Sequence, residues 1–216
     1  MSSSTFSDPH PESTAEEIAN AATHGVGAAL SLVGLIVLLV AAYRDGPWAV
    51  AGVSVYGASL ILLFLVSTLY HGSRNEGAKQ VLRSLDHSTI FLLIAGTYTP
   101  IALLAMGAGP DWLLLGLIWT LAVAGILLRL IWPGRLRWMR MTLYLTMGWL
   151  VIAWAGPLIA GVGWDGSALL LAGGLAYTIG IVFYVRRNMP FNHAIWHLFV
   201  MAGSAAHFFV IALYVL

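Results

Sequence analysis

Asn192-His193-Ala194-Ile195-Trp196-His197 opens the last apolar stretch of the chain, and its reading decides the fold. The residues that follow, Leu198 to Leu216, include no Asp, Glu, Lys or Arg. A helix of about 20 apolar residues crosses the hydrocarbon core of a bilayer. Residues four apart lie one above the other on such a helix, so His193 and His197 share a face. Ionisable groups at the head of a membrane span are costly and mark a functional site.

The same membrane-length pattern recurs upstream. Of 216 residues, 60% are hydrophobic and 9% charged, against about 25% charged in soluble domains. Seven apolar segments stand out, roughly Gly25–Tyr43, Trp48–Tyr70, His87–Met106, Trp112–Trp132, Met141–Val162, Ala168–Val185 and Ile195–Leu216. The expected fold is therefore all-α, an integral membrane bundle of seven transmembrane helices over residues 16–216. Residues 1–15, which contain Ser, Pro and acidic residues, are expected to be a disordered acidic and polar tail. They lack the basic and apolar regions of a signal peptide, so the first span is expected to remain as an anchor.

Connectors after the second, fourth and sixth spans carry nine of the ten basic residues, from Arg74, Lys79 and Arg83 through Arg129, Arg135, Arg137 and Arg140 to Arg186 and Arg187. Only Arg44 lies on the other side. The positive-inside rule makes the basic face cytoplasmic, with the N-terminus on that side and the C-terminus outside. Trp48, Trp112 and Trp164 then mark the outer interface, and Trp132, Trp138 and Trp196 the inner one. A net charge of +1 without a basic stripe argues against nucleic acid as a partner. With no cysteine in the chain, any metal must be held by nitrogen and oxygen.

On this topology four distant segments deliver polar groups to one depth. Ser67 and His71 close the second span, Asp86 starts the third, and His193 and His197 start the seventh. Glu16, Asn20 and His24, spaced by fours, form a polar stripe before the first span that serves either as a shell around the site or as a solvated, capping face. Each feature alone has an ordinary structural explanation; together they suit a Zn²⁺ site. Three imidazoles leave a fourth tetrahedral position open for water, as in catalytic zinc sites, although imidazoles also accept other first-row ions. Asp86 either binds the metal or acts on its water, and the second role suits an open site better. Ser67 is placed to donate to an oxyanion or orient the water. His207, about 15 Å deeper by helix rise, is too distant to be a ligand and reads as a buried histidine paired with Tyr or Ser. In Gly96-Thr97-Tyr98-Thr99-Pro100 the expectation is a kink whose hydroxyls satisfy backbone freed by the proline.

These residues resemble the hemolysin III proteins of bacteria, within the larger group of progestin and adipoQ receptors, over nearly the whole chain after the tail. The matching pattern is Glu16/Asn20/His24, then Ser67/His71 and Asp86, then His193/His197. The resemblance implies zinc held by His71, His193 and His197, Asp86 on the metal-bound water, and a bacterial cytoplasmic membrane location. It also implies a membrane lipid or lipid-like substrate, as relatives look like lipid-amide hydrolases, ceramide being the usual suggestion, and a link to lipid homeostasis. A zinc-dependent lipid amide or ester hydrolase leads, with a non-catalytic metal-stabilised sensor as the alternative. A pore ranks below both, because the outer halves of the spans offer almost no ionisable relay. A haem bundle is disfavoured because His193 and His197 share one face a turn apart.

Overall fold

A computed structural model describes residues 12–107, 109–132, 137–186 and 188–216. The tail expected at the N-terminus lies, over residues 1–11, outside them. The described residues form helices and connecting turns, with no strand. The helices are α1 (Thr14–Ala42), α2 (Pro47–Gly72), α3 (Glu76–Leu104), α4 (Trp112–Ile131), α5 (Arg137–Trp149), α6 (Ala155–Val185) and α7 (Asn192–Val210). A 3-10 turn, Leu150–Trp154, joins α5 to α6, and a π turn, Ile211–Val215, follows α7.

Local chemistry sets the helix starts. Ser13 and Glu16 form a reciprocal capping box on α1, with Ser13 Oγ accepting from Glu16 N (3.2 Å) and Glu16 Oε2 from Ser13 N (2.8 Å). Glu12 to Ala15, placed by sequence in the tail, thus border or begin α1. Pro47 opens α2, where its missing N–H costs nothing. Asn75 and Asp111 cap α3 and α4 through their side chains.

Among the described residues, six helical segments are long and apolar enough to cross a membrane, rather than the seven separate spans expected. The expected fifth and sixth fall within one segment of 48 residues, Trp138–Val185. It folds back on itself. Trp149 Nε1 donates to Thr178 Oγ1 at 3.2 Å, whereas 29 residues of straight helix would separate them by about 44 Å. The reversal falls at Gly163 (φ 69°, ψ 179°), backbone that essentially only glycine adopts. Just before it, a Cβ at Gly161 would lie 1.8 Å from the Ala105 carbonyl oxygen, so the turn also needs close approach to the end of α3.

Two apolar clusters fill the interior. One joins Phe91, Ala95 and Tyr98 of α3 to Leu114, Ile118 and Ala122 of α4, with Met147 and Leu158. The other joins Leu38 of α1 to Tyr56, Leu60 and Phe64 of α2, with Leu93, Val200 and Ile211. Outward-facing positions such as Val40 and Leu113 are each 73% exposed. An apolar exterior of this kind suits lipid as solvent.

The proline stretch in α3 works differently from the expectation. Pro100 removes the N–H that would meet the Gly96 carbonyl, but Thr97 donates to Leu93 O and Thr99 to Ala95 O, each one turn back. Tyr98 instead reaches across to α5. Its hydroxyl donates toward the carbonyls of Met147 (2.8 Å) and Gly148 (3.2 Å) and accepts from Val151 N (2.8 Å). It thereby serves groups that the change from α to 3-10 winding releases.

Candidate metal centre

One nitrogen from each of His71, His193 and His197 lies within 4.8 Å of the others. His71 comes from the last turn of α2, His193 and His197 from the first turns of α7. Their ring centroids are 4.6 to 5.2 Å apart. His71 and His197 are buried and His193 is half-buried.

Each ring is held from outside. His71 Nδ1 donates to Glu17 Oε2 at 2.7 Å, and His193 Nδ1 to Glu12 Oε1 at 2.8 Å. His197 Nδ1 contacts the Asn20 carbonyl and Thr23 Oγ1, both at 3.2 Å. Carboxylate and carbonyl oxygens only accept, so they fix the hydrogen on Nδ1 and leave Nε2 as the lone-pair edge. Metal-binding histidines are oriented in this way. Glu12 also accepts from Asn20 Nδ2 at 2.9 Å, and Glu17 pairs with Lys79. The Glu12 side chain is 29% exposed. Burial opposes its ionisation, but the hydrogen bond from His193 and the nearby imidazoles outweigh this and keep its carboxyl below the usual range.

The donor set fits a bound cation. Five buried polar atoms at this level lack a hydrogen-bond partner, namely Asn20 Oδ1, both ring nitrogens of His24, Ser67 Oγ and His71 Nε2. Each such orphan costs about 1–3 kcal/mol, so a cluster of them is retained where a ligand satisfies it. His24 stacks on His197 with centroids 3.4 Å apart and planes 11° from parallel. Ser67, one turn along α2 from His71, is 1% exposed.

A cavity of about 1070 Å³ opens beside the histidines. Its wall includes His24, Ser67, Asp86, His193 and His197, and much of the rest is apolar. Asp86 faces this space from α3 but belongs to neither group of clustered ligand atoms among the described residues. The second such group is Glu12, Glu17 and His71.

Of the two roles open to Glu16 the capping one holds, and the pairing expected of His207 needs correcting. Glu16 does not approach the histidines. Its oxygens accept from Ser13 N and, at 2.8 Å, from Phe191 N, fastening α1 to the turn before α7. Glu17 and Glu12 take the places beside the rings instead. His207 pairs with neither a Tyr nor a Ser hydroxyl. Its Nε2 donates to Leu170 O at 3.2 Å, while Tyr177 presents its ring at 5.4 Å and bonds Ser204.

An all-helical protein with membrane-length segments and a cluster of histidines that could hold a metal is the class this geometry defines. Comparison with known proteins narrows it: the chain belongs to the haemolysin-III related family, whose pattern matches residues 13–208. It is 46% identical over 202 residues to Hemolysin-3 of Bacillus cereus, covering 93% of this chain and 92% of that one. The Hemolysin-3 homolog of Bacillus subtilis (strain 168) is 42% identical over 200 residues, with 92% and 94% covered. The Monocyte to macrophage differentiation factor of Homo sapiens is 30% identical over 209 residues, with 91% and 83% covered. That relationship supports the wider progestin and adipoQ receptor grouping. The chain is a membrane protein.

Proposed function

We propose that this protein is a zinc-dependent hydrolase of a lipid amide or ester, working at the cytoplasmic face of the bacterial plasma membrane. The observation that carries the reading is the orientation of His71, His193 and His197, each held at Nδ1 from outside, next to buried polar atoms without partners and a large, mostly apolar cavity. His71, His193 and His197 would hold the ion. Bound there, zinc supplies Lewis acidity toward a carbonyl.

The chain's own groups supply the rest. Asp86, facing the cavity, accepts a proton from the attacking water and returns it to the leaving group. Ser67, whose hydroxyl has no protein partner, donates to the carbonyl oxygen as charge develops on it. Glu12, Glu17 and the Asn20 carbonyl keep the three rings in one tautomer. The apolar wall suits an acyl chain and limits water.

Seven crossings, with the N-terminus cytoplasmic and the C-terminus outside, fit this reading. The fold-back at Gly163 supports reading the 48-residue segment as two passes, and the charge asymmetry of the connectors supports the orientation. A sensor is the second reading. It is favoured by the way the histidines and their carboxylates join α1, α2 and α7, where a metal would act as a clamp.

Metal content measured by mass spectrometry on protein purified without a polyhistidine tag tests the proposal. About one zinc per chain is expected, lost in His71→Ala and His197→Ala and largely kept in Asp86→Ala. Hydrolysis of lipid extracts should then disappear in Asp86→Ala. Wild-type protein without metal would refute the reading, and metal without hydrolysis of any membrane lipid would leave the sensor.

A further inference from the structure

Arg129 occupies the last turn of α4, is only 7% exposed, and has a buried Nε without a hydrogen-bond partner. A guanidinium among apolar helices is costly and is retained where it meets an opposite charge or a polar ligand. Arg129 lines the same cavity that reaches the histidines, as do Arg83 of α3 and Arg140 of α5. The positive charges of Arg140 and Arg83 act on it. Among the described lining residues Asp86 is the one acid. Three cations from three helices thus line the cavity with one carboxylate. Around them the wall is apolar, with Leu85, Leu130, Met141 and Leu145. Arg83 and Arg140 have further contacts of their own, so the weight falls on Arg129.

We infer that the cavity binds the oxyanion of an amphiphile, a phosphate or carboxylate held by Arg129 beside Arg83 and Arg140, with its apolar tail along the cavity wall. A guanidinium suits this ligand because its planar fork of N–H donors matches a phosphate or carboxylate. The site goes beyond the hydrolase reading and does not require the metal. Its oxyanion comes either from a phospholipid of the surrounding leaflet or from a free fatty acid.

Trp138, Trp149 and Trp196 also line the cavity, so bromine on an acyl chain in it quenches tryptophan fluorescence. The full chain is placed in phosphatidylcholine nanodiscs doped with brominated phosphatidylglycerol, brominated fatty acid at alkaline pH, or brominated phosphatidylcholine. At least one anionic probe is expected to reach half-quenching at a mole fraction about tenfold below that of the zwitterion, from a hydrogen bond between charged groups. Preference for phosphatidylglycerol identifies a phospholipid headgroup, and preference for the fatty acid identifies a carboxylate. Arg129→Gln should abolish the preference and Arg129→Lys should keep most of it. His71→Ala should leave it intact, which separates this site from the metal. Equal quenching by all three probes in the wild type overturns the inference, whether or not Arg129→Gln folds. So does a preference that survives in Arg129→Gln at an unchanged thermal midpoint.

Discussion

Replacing Glu17 with alanine removes the carboxylate that holds His71 Nδ1 at 2.7 Å and pairs with Lys79. Neither Asn20, whose amide Nδ2 lies 3.5 Å from that nitrogen and only donates, nor Glu12, at 3.6 Å, replaces it well. His71 would then rotate and sample both tautomers, one of which turns a hydrogen toward the metal. Loss of an outer partner of this kind weakens metal binding about 10–100-fold, equivalent to about 1.4–2.7 kcal/mol. Competition against a chromophoric zinc chelator in mild detergent measures the change directly. Glu12→Ala should act similarly through His193. Because both carboxylates lie near His71, the double variant should fall short of the product of the two effects. An affinity within twofold of wild type for Glu17→Ala would refute the orienting role.

Glu16→Ala should leave zinc affinity unchanged but lower stability by about 1 kcal/mol through loss of the α1 cap, read as thermal unfolding by tryptophan fluorescence. Tyr98→Phe should cost about 1–3 kcal/mol in the same assay, since it leaves the Val151 N–H and two carbonyls without their partner. Gly163→Ala, forced into backbone at φ 69°, should cost about 1–3 kcal/mol. Chelation of bound metal should lower the unfolding temperature of the wild type, and should have no effect on His71→Ala.

The membrane-length segments and the convergence of His71, His193 and His197 were legible because hydropathy and helical spacing are local properties. The choice between Glu16 and Glu17 was legible too, but spacing by fours misread it. At about 100° per residue, Glu17 lies about 20° from the direction of His24, whereas Glu16 has drifted about 80° away. Glu12 had no such signal, because it precedes the helix and reaches His193 only through tertiary folding. The reversal at Gly163 was partly visible as a gap between two apolar stretches, yet its backbone angles depend on Gly161 meeting Ala105. Tyr98 was read as a local hydroxyl because nothing in its neighbours announces a change of winding some fifty residues later. Arg129 was counted as a topology marker, and only its burial reveals a second meaning.

The contact between Glu12 and His193 spans 181 residues, and Glu16 reaches Phe191 across 175. Segments made far apart in time are therefore joined at the same point. At about 5–20 residues per second, roughly ten to forty seconds of synthesis separate the two halves of the site. Until α7 emerges, His71 and the acids of α1 have no histidine partners from it, so any metal capture through all three rings must wait for α7. The histidine cluster then acts as a clasp that closes only once α7 has joined α1 and α2, and a product truncated before α7 would lack it.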